Sequence, residues 1–362
     1  AALAGRHVAP LLVDDADHVA GLGPPDGVQF VGVGGHVEQA GAAALRQPVN
    51  LEHLARPQFS DPPLVLSRQR CAGALLGLET RQVAPYKALG IEDAAECRLG
   101  MWDQIPTNKQ VALLFANDAD GQSWANKETG LGSYLEKAGY KVVSQPDLYP
   151  SPAEDYTSQI AEFKKSGAEI LSGVQIPPDF TNFWKQAYQQ GYRPKIMSIA
   201  KAALFHDSVE ALGDIALGWS DHMVWHPKFP YKCSLTGVTC QEYADQYTAE
   251  TGEQWTQPLG QLGKYEWCID ILKRWDPENK DQFSEVVKAS KFDCVNGPVD
   301  FTQPVQMGTT RPVPNVCKIK IAGGQWTKNE AGSKFPYEIH IVYGQDPNMP
   351  IEKPFEEMPY LV

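Results

Sequence analysis

The chain has 362 residues, which exceeds the ~250–300 at which a single hydrophobic core usually stops growing, so it is long enough for two domains. Lysine and arginine number 32 against 44 aspartates and glutamates, giving a formal net charge of −12. This balance argues against a nucleic-acid-binding surface, which concentrates basic residues, and we expect a small solute as partner instead. No apolar run approaches the ~18 residues of a membrane span.

The composition changes near residue 87. Residues 1–86 contain no Lys, Ile, Met or Trp, and all the lysines and tryptophans lie beyond them. Two hypotheses explain the change: a fused or disordered segment, or letters read in the wrong frame of a GC-rich gene. The glycine cluster "FVGVGGHV" in this part lacks the third glycine of a dinucleotide-binding loop at the right spacing, so we expect no cofactor.

The middle of the chain alternates between short apolar runs and amphipathic segments. The runs "QVALLFA", "YKVVSQ", "AEILSGV", "KIMSIA" and "LGWSDHMVW" are typical of buried strands. Between them, the spacing predicts a helix capped by Asp120 and stopped at Gly139, and two more stopped at Gly167 and Gly191. This alternation predicts an α/β fold with a parallel sheet and helices on both faces.

In open sheets of this kind, ligands bind outside the carboxyl ends of the strands. Three predicted loops reach that edge: Asn117 to Trp124, Gly173 to Asp179, and Ala200 to Phe205. Lys201 stands where the run "IMSIA" stops, so the topology places it at the mouth of the sheet.

Several stretches in matching order resemble one known family. They include "MWDQIPTNKQVALLFANDADGQSW", "DYTSQIAEFKKSGAEILSGVQIPPDFTNFWKQAYQQGYRPK", "TGEQWTQP", "NGPVDF" and "PNVCKIKIAGGQW". From about Ala88 to the C-terminus the chain resembles the branched-chain amino-acid (leucine-isoleucine-valine) solute-binding proteins of ABC importers. Residues 1–86 do not match that family.

The resemblance implies the type I periplasmic binding fold, in which two Rossmann-like α/β lobes close on a solute by hinge motion. Lobe one would hold residues 1–108 and 240–301, and lobe two residues 109–239 and 302–362. Such a protein is not an enzyme. It would be periplasmic or extracellular after removal of its signal peptide, and monomeric, and it would deliver its solute to a membrane permease.

Amino-acid binders of this family usually keep an acidic residue near the position of Lys201. A lysine there favours an anion, so we expect a carboxylate-bearing or amino-acid-like solute. Trp124 would supply an apolar wall, Gln175 an orienting amide and Asp120 a hydrogen-bond acceptor. The alternative is that Lys201 is solvated or ion-paired with Asp120. The candidate ligand-binding set is Lys201, Trp124, Gln175, Asp120, Gln122, Pro177 and Phe205.

Four cysteines are candidates for disulfides, and two histidines are candidates for a metal site. Cys233 and Cys240 bracket a turn-rich loop and form the first candidate disulfide, and Cys294 with Cys317 form the second. His222 and His226 would lie about 13 Å apart on a strand, too far for one metal ion, so we expect no metal site.

Two other classes of function remain as alternatives. A ligand-sensing domain of a receptor or regulator shares the same fold, and a linked membrane or DNA-binding segment would favour it. An oxidoreductase that uses the early glycine cluster is the second alternative, and protection by NAD would favour that one.

Overall fold

The computed structural model of the chain describes residues 86–279, 281–306 and 312–360. The early glycine cluster and most of the N-terminal part of predicted lobe one lie outside the described residues, and so does Cys71.

A seven-stranded sheet forms the centre of the described chain. Its strands are β2 (Gln110–Phe115), β3 (Lys141–Ser144), β4 (Ile170–Gln175), β5 (Ile196–Lys201), β6 (Ser220–Met223), β10 (Ala322–Lys328) and β11 (Tyr337–Gly344). Their order in the sheet is β11-β10-β6-β5-β4-β2-β3. Strands β2 to β6 pair in parallel, whereas β10 pairs antiparallel with β6 and β11. The predicted α/β class with a mostly parallel sheet is confirmed.

Helices cover both faces of this sheet, which is why its central strands read as continuous apolar runs. One face packs against α1 (Ile91–Trp102), α2 (Ala119–Trp124) and α3 (Leu131–Lys137). The opposite face packs against α4 (Thr157–Ser166), α5 (Pro177–Gln189) and α6 (His206–Glu210). Short 3₁₀ turns follow β5 at Ala202–Leu204, precede β6 at Gly213–Ala216 and lie further along at Gln257–Gln261.

The helix predicted from Asp120 to Gly139 is two helices, α2 and α3. The side chain of Asn126 accepts hydrogen bonds from the backbone amides of Glu128 and Thr129, which favours a turn over continued helix. Gly130 lies so close to the backbone of Trp124 that an added Cβ would stand 2.3 Å from Trp124 O. The predicted stop at Gly167 is confirmed, since this residue takes the left-handed conformation with φ 71°.

A smaller unit follows β6 along the chain. It contains α7 (Cys240–Thr251), α8 (Leu262–Arg274), α9 (Gln282–Lys288) and the hairpin of β7 (Lys291–Cys294) with β8 (Gly297–Asp300). A parallel pair, β1 (Tyr86–Ala88) and β9 (Val316–Lys318), lies beside β8. The shared core of this unit includes Trp267, Ile271, Phe283, Val287 and Val299.

The predicted division into lobes stays a prediction. Helix α1 falls within the range predicted for lobe one, yet it packs against β6, β10 and β11 of the large sheet. Its first turn is bound by Lys318 of β9, whose ammonium lies 2.8 Å from Glu92 and 2.9 Å from Asp93. Helix α1 therefore connects the large sheet to the β1–β9 pair.

None of the helices in the three described ranges is both long enough and apolar enough to span a bilayer.

Candidate functional site

Strands β2, β4 and β5 are direct neighbours and end at one side of the sheet, which we call the carboxyl edge. In the paired register, Phe115 lies beside Val174 and Gln175 beside Lys201. The segments that follow these strands therefore meet at the carboxyl edge, as predicted from the alternation of strands and helices.

Lys201 ends β5 in a strained backbone conformation. Its φ of 67° and ψ of −66° correspond to the γ-turn of positive φ, which side-chain-bearing residues rarely adopt. Such a conformation costs on the order of 1–3 kcal/mol and persists only where the surrounding fold imposes it. The neighbouring residues Ala202 and Ala203 are both fully buried.

The ammonium of Lys201 forms an ion pair with the carboxylate of Asp120. The two side chains are 23% and 19% exposed, so the pair is partly withdrawn from water but still reachable by a solute. The sequence-based alternative, an ion pair between these residues, is therefore the arrangement in the structure. The structure contains no solute, and the ligand role of Lys201 stays a prediction.

Helix α2 fixes Asp120 beside Lys201. Asp118, and not Asp120 as predicted, is the N-cap, and its Oδ1 accepts a hydrogen bond of 2.6 Å from Gly121 N. Asp120 lies in the first turn, where the helix dipole favours a carboxylate. An added Cβ on Gly121 would stand 1.9 Å from Ala116 O, so α2 presses directly on the end of β2.

Gln175 does not face the solvent at the carboxyl edge. Its side chain is buried and its Nε2 donates a hydrogen bond to Leu114 O on the neighbouring strand β2. Its amide nitrogen braces β4 against β2, whereas the buried Oε1 has no hydrogen-bond partner in the described part of the chain, and the role as an orienting amide for a solute stays a prediction.

Trp124 is also a core residue. It is 1% exposed, and its ring stacks on that of His222 with centroids 6.1 Å apart. The guanidinium carbon of Arg98 lies 4.9 Å from the Trp124 ring centroid. Trp124 therefore anchors the C-terminal end of α2 in this conformation, and its role as an apolar wall for a solute stays a prediction.

The other three predicted residues are spread along the carboxyl edge. Gln122 is exposed and donates through Nε2 to Asn117 Oδ1 at 3.0 Å. Phe205 is half-buried and precedes α6 as its N-cap residue. Pro177, the first residue of α5, lines a cavity of ≈ 290 Å³ between α5 and α6. That cavity is lined by Pro177, Pro178, Thr181, Asn182, Lys185, Asp207, Ser208 and Ala211, a set that does not include Lys201.

A buried charged cluster lies under α2, and sequence reasoning missed it. Arg98 and Asp221 are fully buried and form an ion pair with 3.1 Å between Nη2 and Oδ1. His222 Nδ1 lies 2.7 Å from the same carboxylate oxygen. Burial lowers the pKa of Arg98, and the nearby Asp221 carboxylate opposes that shift. The spacing in the sequence could have revealed this cluster. Arg98 falls on the same helical face as Ala94 and Met101, which predicts that it is buried and therefore has an acidic partner.

No disulfide joins the four candidate cysteines. Lys232 pairs with Thr239, and the Cys233 amide donates to Val238 O, so Cys233 stands diagonal to Cys240 and not opposite it. Cys233 and Cys240 are not bonded to each other in the structure, and their pairing stays a prediction.

The second candidate pair shares one apolar cluster. Cys294 Sγ donates to Gly297 O at 3.3 Å, and Cys317 Sγ to Pro298 O at 3.6 Å, so the two thiols contact successive carbonyls of β8. They are not bonded to each other in the structure, and their pairing stays a prediction.

The two histidines His222 and His226 have different surroundings. His222 belongs to the Arg98 cluster, whereas His226 Nε2 lies 3.1 Å from Ile339 O of β11. Within the described ranges, no group of three or more His, Cys, Asp or Glu side chains is arranged to hold a metal ion.

The chain is similar in sequence to a known protein family and to a curated relative. The profile of the periplasmic binding protein family matches residues 98–313. The Leu/Ile/Val-binding protein homolog 7 of Brucella abortus (strain 2308) is 24% identical over 153 residues, which are 40% of this chain and 35% of that protein. The chain thus matches about a third of the length of this curated relative.

Solved structures share the fold at low identity. A leucine-, isoleucine-, valine-, threonine- and alanine-binding protein from Brucella ovis, in its closed conformation, superposes with a TM-score of 0.55 at 14% identity, covering 75% of this chain and 66% of that one. An ABC transporter solute-binding protein from R. palustris, in complex with 4-hydroxybenzoate, gives 0.51 at 12% identity, covering 75% and 65%. These likenesses confirm the predicted type I fold, and the match over more than half of its length shows that the chain belongs to the periplasmic binding protein family.

Proposed function

We propose that the protein is the extracytoplasmic solute-binding component of an ABC importer and binds a small carboxylate-bearing or amino-acid-like solute at the carboxyl edge. It acts by binding and not by catalysis, as a monomer, in the periplasm or outside the cell. A membrane permease is the partner that would receive the solute. Family membership and the type I fold support this proposal.

The position of Lys201 is the observation that supports a carboxylate-bearing solute. Its ammonium stands at the end of a central strand, partly exposed, on a backbone of positive φ. Strained conformations of this kind cluster at functional sites. An ammonium 4 Å from a unit negative charge gains about 4 kcal/mol at an effective dielectric of 20, enough to favour a carboxylate over a neutral solute.

A relative of the same fold lends support. The R. palustris protein holds 4-hydroxybenzoate, an aromatic carboxylate, so the fold accommodates an organic acid as well as an amino acid. The Brucella ovis protein is named for aliphatic and hydroxyl-bearing amino acids. Both classes share a carboxylate, which is the group that Lys201 would bind.

A thermal melting screen tests the proposal. The purified protein is melted alone and with a panel of amino acids, aliphatic acids, aromatic acids and matched neutral amides. A solute at 100 times its dissociation constant stabilises the folded state by about 2.7 kcal/mol. We expect stabilisation by at least one carboxylate and none by its amide. Stabilisation by the amides alone, or by no carboxylate, would contradict the proposal.

A further inference from the structure

We infer that Asp120 is a specificity-determining residue, which makes the site prefer carboxylates that carry a hydrogen-bond donor beside the carboxylate, such as 2-hydroxy or 2-amino acids, over plain carboxylates. This inference rests on the proposed function, because it assumes that Lys201 binds the carboxylate of a solute. It differs from that proposal in assigning a selective role to the residue that faces Lys201.

The first step concerns the charge at the site. Lys201 is not an isolated cation, since its ammonium is already paired with the Asp120 carboxylate. A plain carboxylate that approaches Lys201 therefore meets a like charge on the same ammonium. Because both side chains are only about a fifth exposed, water screens this repulsion incompletely.

The second step is that Asp120 has little freedom to withdraw. Its backbone lies in the first turn of α2, which Asp118 caps and Gly121 holds against the end of β2. The other end of α2 is fixed by Trp124, which is buried against His222 and Arg98. The helix is therefore held at both ends, which keeps the backbone of Asp120 close to Lys201.

The third step concerns what a solute must supply. A carboxylate accepts hydrogen bonds through two oxygens and about four lone-pair sites, so Asp120 has the capacity for a donor besides Lys201. A hydroxyl or ammonium group on the carbon next to the solute carboxylate would reach Asp120 while the carboxylate contacts Lys201. Such a solute replaces repulsion with a charge-assisted hydrogen bond.

The experiment compares three acids that differ only at the second carbon. The side-chain scaffold is that of the acid that stabilises the protein most in the melting screen, prepared with a hydrogen, a hydroxyl or an amino group at that carbon. Dissociation constants are measured by calorimetric titration for the wild type and for Asp120→Asn, which keeps the shape and removes the charge. Asp207→Asn is the matched control, because Asp207 is an exposed acid in the first turn of the neighbouring helix α6.

We expect the wild type to bind the hydroxy or amino acid at least tenfold more tightly than the plain acid. In Asp120→Asn this ratio should fall below threefold, mainly because the plain acid binds more tightly once the like charge is gone. Asp207→Asn should keep the wild-type ratio.

Two further outcomes separate this inference from the proposed function. If Lys201→Met binds all three acids as the wild type does, the lysine does not hold the carboxylate and the proposed site is wrong. If Lys201→Met loses binding while Asp120→Asn keeps the wild-type ratio, only the role of Asp120 is overturned. Equal affinity of the wild type for the plain acid and its substituted forms would also overturn it.

Discussion

The backbone of Lys201 has torsion angles that glycine tolerates far better than a residue with a Cβ atom. Lys201→Gly and Lys201→Ala both remove the ion pair with Asp120, but only glycine relieves the strain. Glycine ordinarily destabilises a folded chain by about 0.5–1 kcal/mol relative to alanine. Here the strain of about 1–3 kcal/mol should reverse that order.

We therefore expect the free energy of unfolding of Lys201→Gly to exceed that of Lys201→Ala by about 1 kcal/mol or more. Urea unfolding of the two variants without solute measures the difference. An alanine variant as stable as the glycine variant would show that the fold does not impose this conformation.

His226 is a buried residue that the sequence did not connect to stability. Its Nδ1 accepts from Lys228 N at 3.1 Å, so the ring proton lies on Nε2 and donates to Ile339 O. Burial lowers the pKa of His226 to about 4, and the Glu352 carboxylate near Nε2 only partly opposes the shift. The unfolded chain therefore takes up this proton at a higher pH than the folded chain does, and acid favours unfolding.

Between pH 7 and pH 5, His226 should cost the wild type about 2 kcal/mol of folding stability. Burial alone would raise the pKa of Glu352, but hydrogen bonds from His340, Ile341 N and Lys228 lower it to about 2. The contribution of Glu352 to folding stability is therefore lost only at a pH below this range. Denaturant titrations at the two pH values should show a smaller loss for His226→Gln, which does not titrate. Parallel losses in the wild type and the variant would contradict this assignment.

At the same scale, the sequence located Lys201 and its partner Asp120 but not the surroundings of Trp124 and Gln175. The strand ends follow from the apolar runs, and the carboxyl edge follows from the parallel topology. Whether a side chain at that edge turns outward or inward depends on tertiary packing. Trp124 turns inward, where it packs in an apolar cluster and against Arg98, which is distant in sequence.

At the scale of secondary-structure elements, α1 and β6 are joined by the buried pair of Arg98 and Asp221. Removing one member of a buried ion pair leaves an uncompensated charge and typically costs about 3–5 kcal/mol, whereas replacing both by apolar residues costs much less. Arg98→Met should therefore destabilise the protein by about 3–5 kcal/mol. The double variant Arg98→Met/Asp221→Leu should recover a large part of that loss.

Chemical denaturation of the two single variants, Arg98→Met and Asp221→Leu, and of the double variant measures this coupling. Losses that simply add in the double variant would mean that the two charges do not stabilise each other. The pairing itself was hidden from sequence analysis, because an arginine on an apolar helical face predicts an acidic partner without naming it.

Also at this scale, the strands of the large sheet were predicted from their apolar runs, whereas the break between α2 and α3 was not. Periodicity continues across residues 120–138, but the Asn126 turn and the close approach of Gly130 to Trp124 O interrupt the helix. Such interruptions depend on side-chain hydrogen bonds that a periodic pattern does not reveal. The α2 that results is short, and its position depends on contacts at its two ends.

At the scale of the whole molecule, the chain combines a seven-stranded α/β unit with a smaller unit built from α7 to α9 and two strand pairs. The alternation of strands and helices predicted the first unit. The smaller unit was placed by resemblance, since its short strands carry little periodic signal. The family profile spans both, from residue 98 to residue 313.

Calorimetric titration of the acid that stabilises the protein most, into the wild type and into Lys201→Met, tests most directly whether Lys201 binds the carboxylate of a small solute. Lys201→Met removes the attraction of the ammonium and leaves the solute carboxylate facing the like charge of Asp120, so binding should weaken. We predict measurable binding to the wild type and a loss of at least a hundredfold in the variant, and equal dissociation constants for the two proteins would contradict the account.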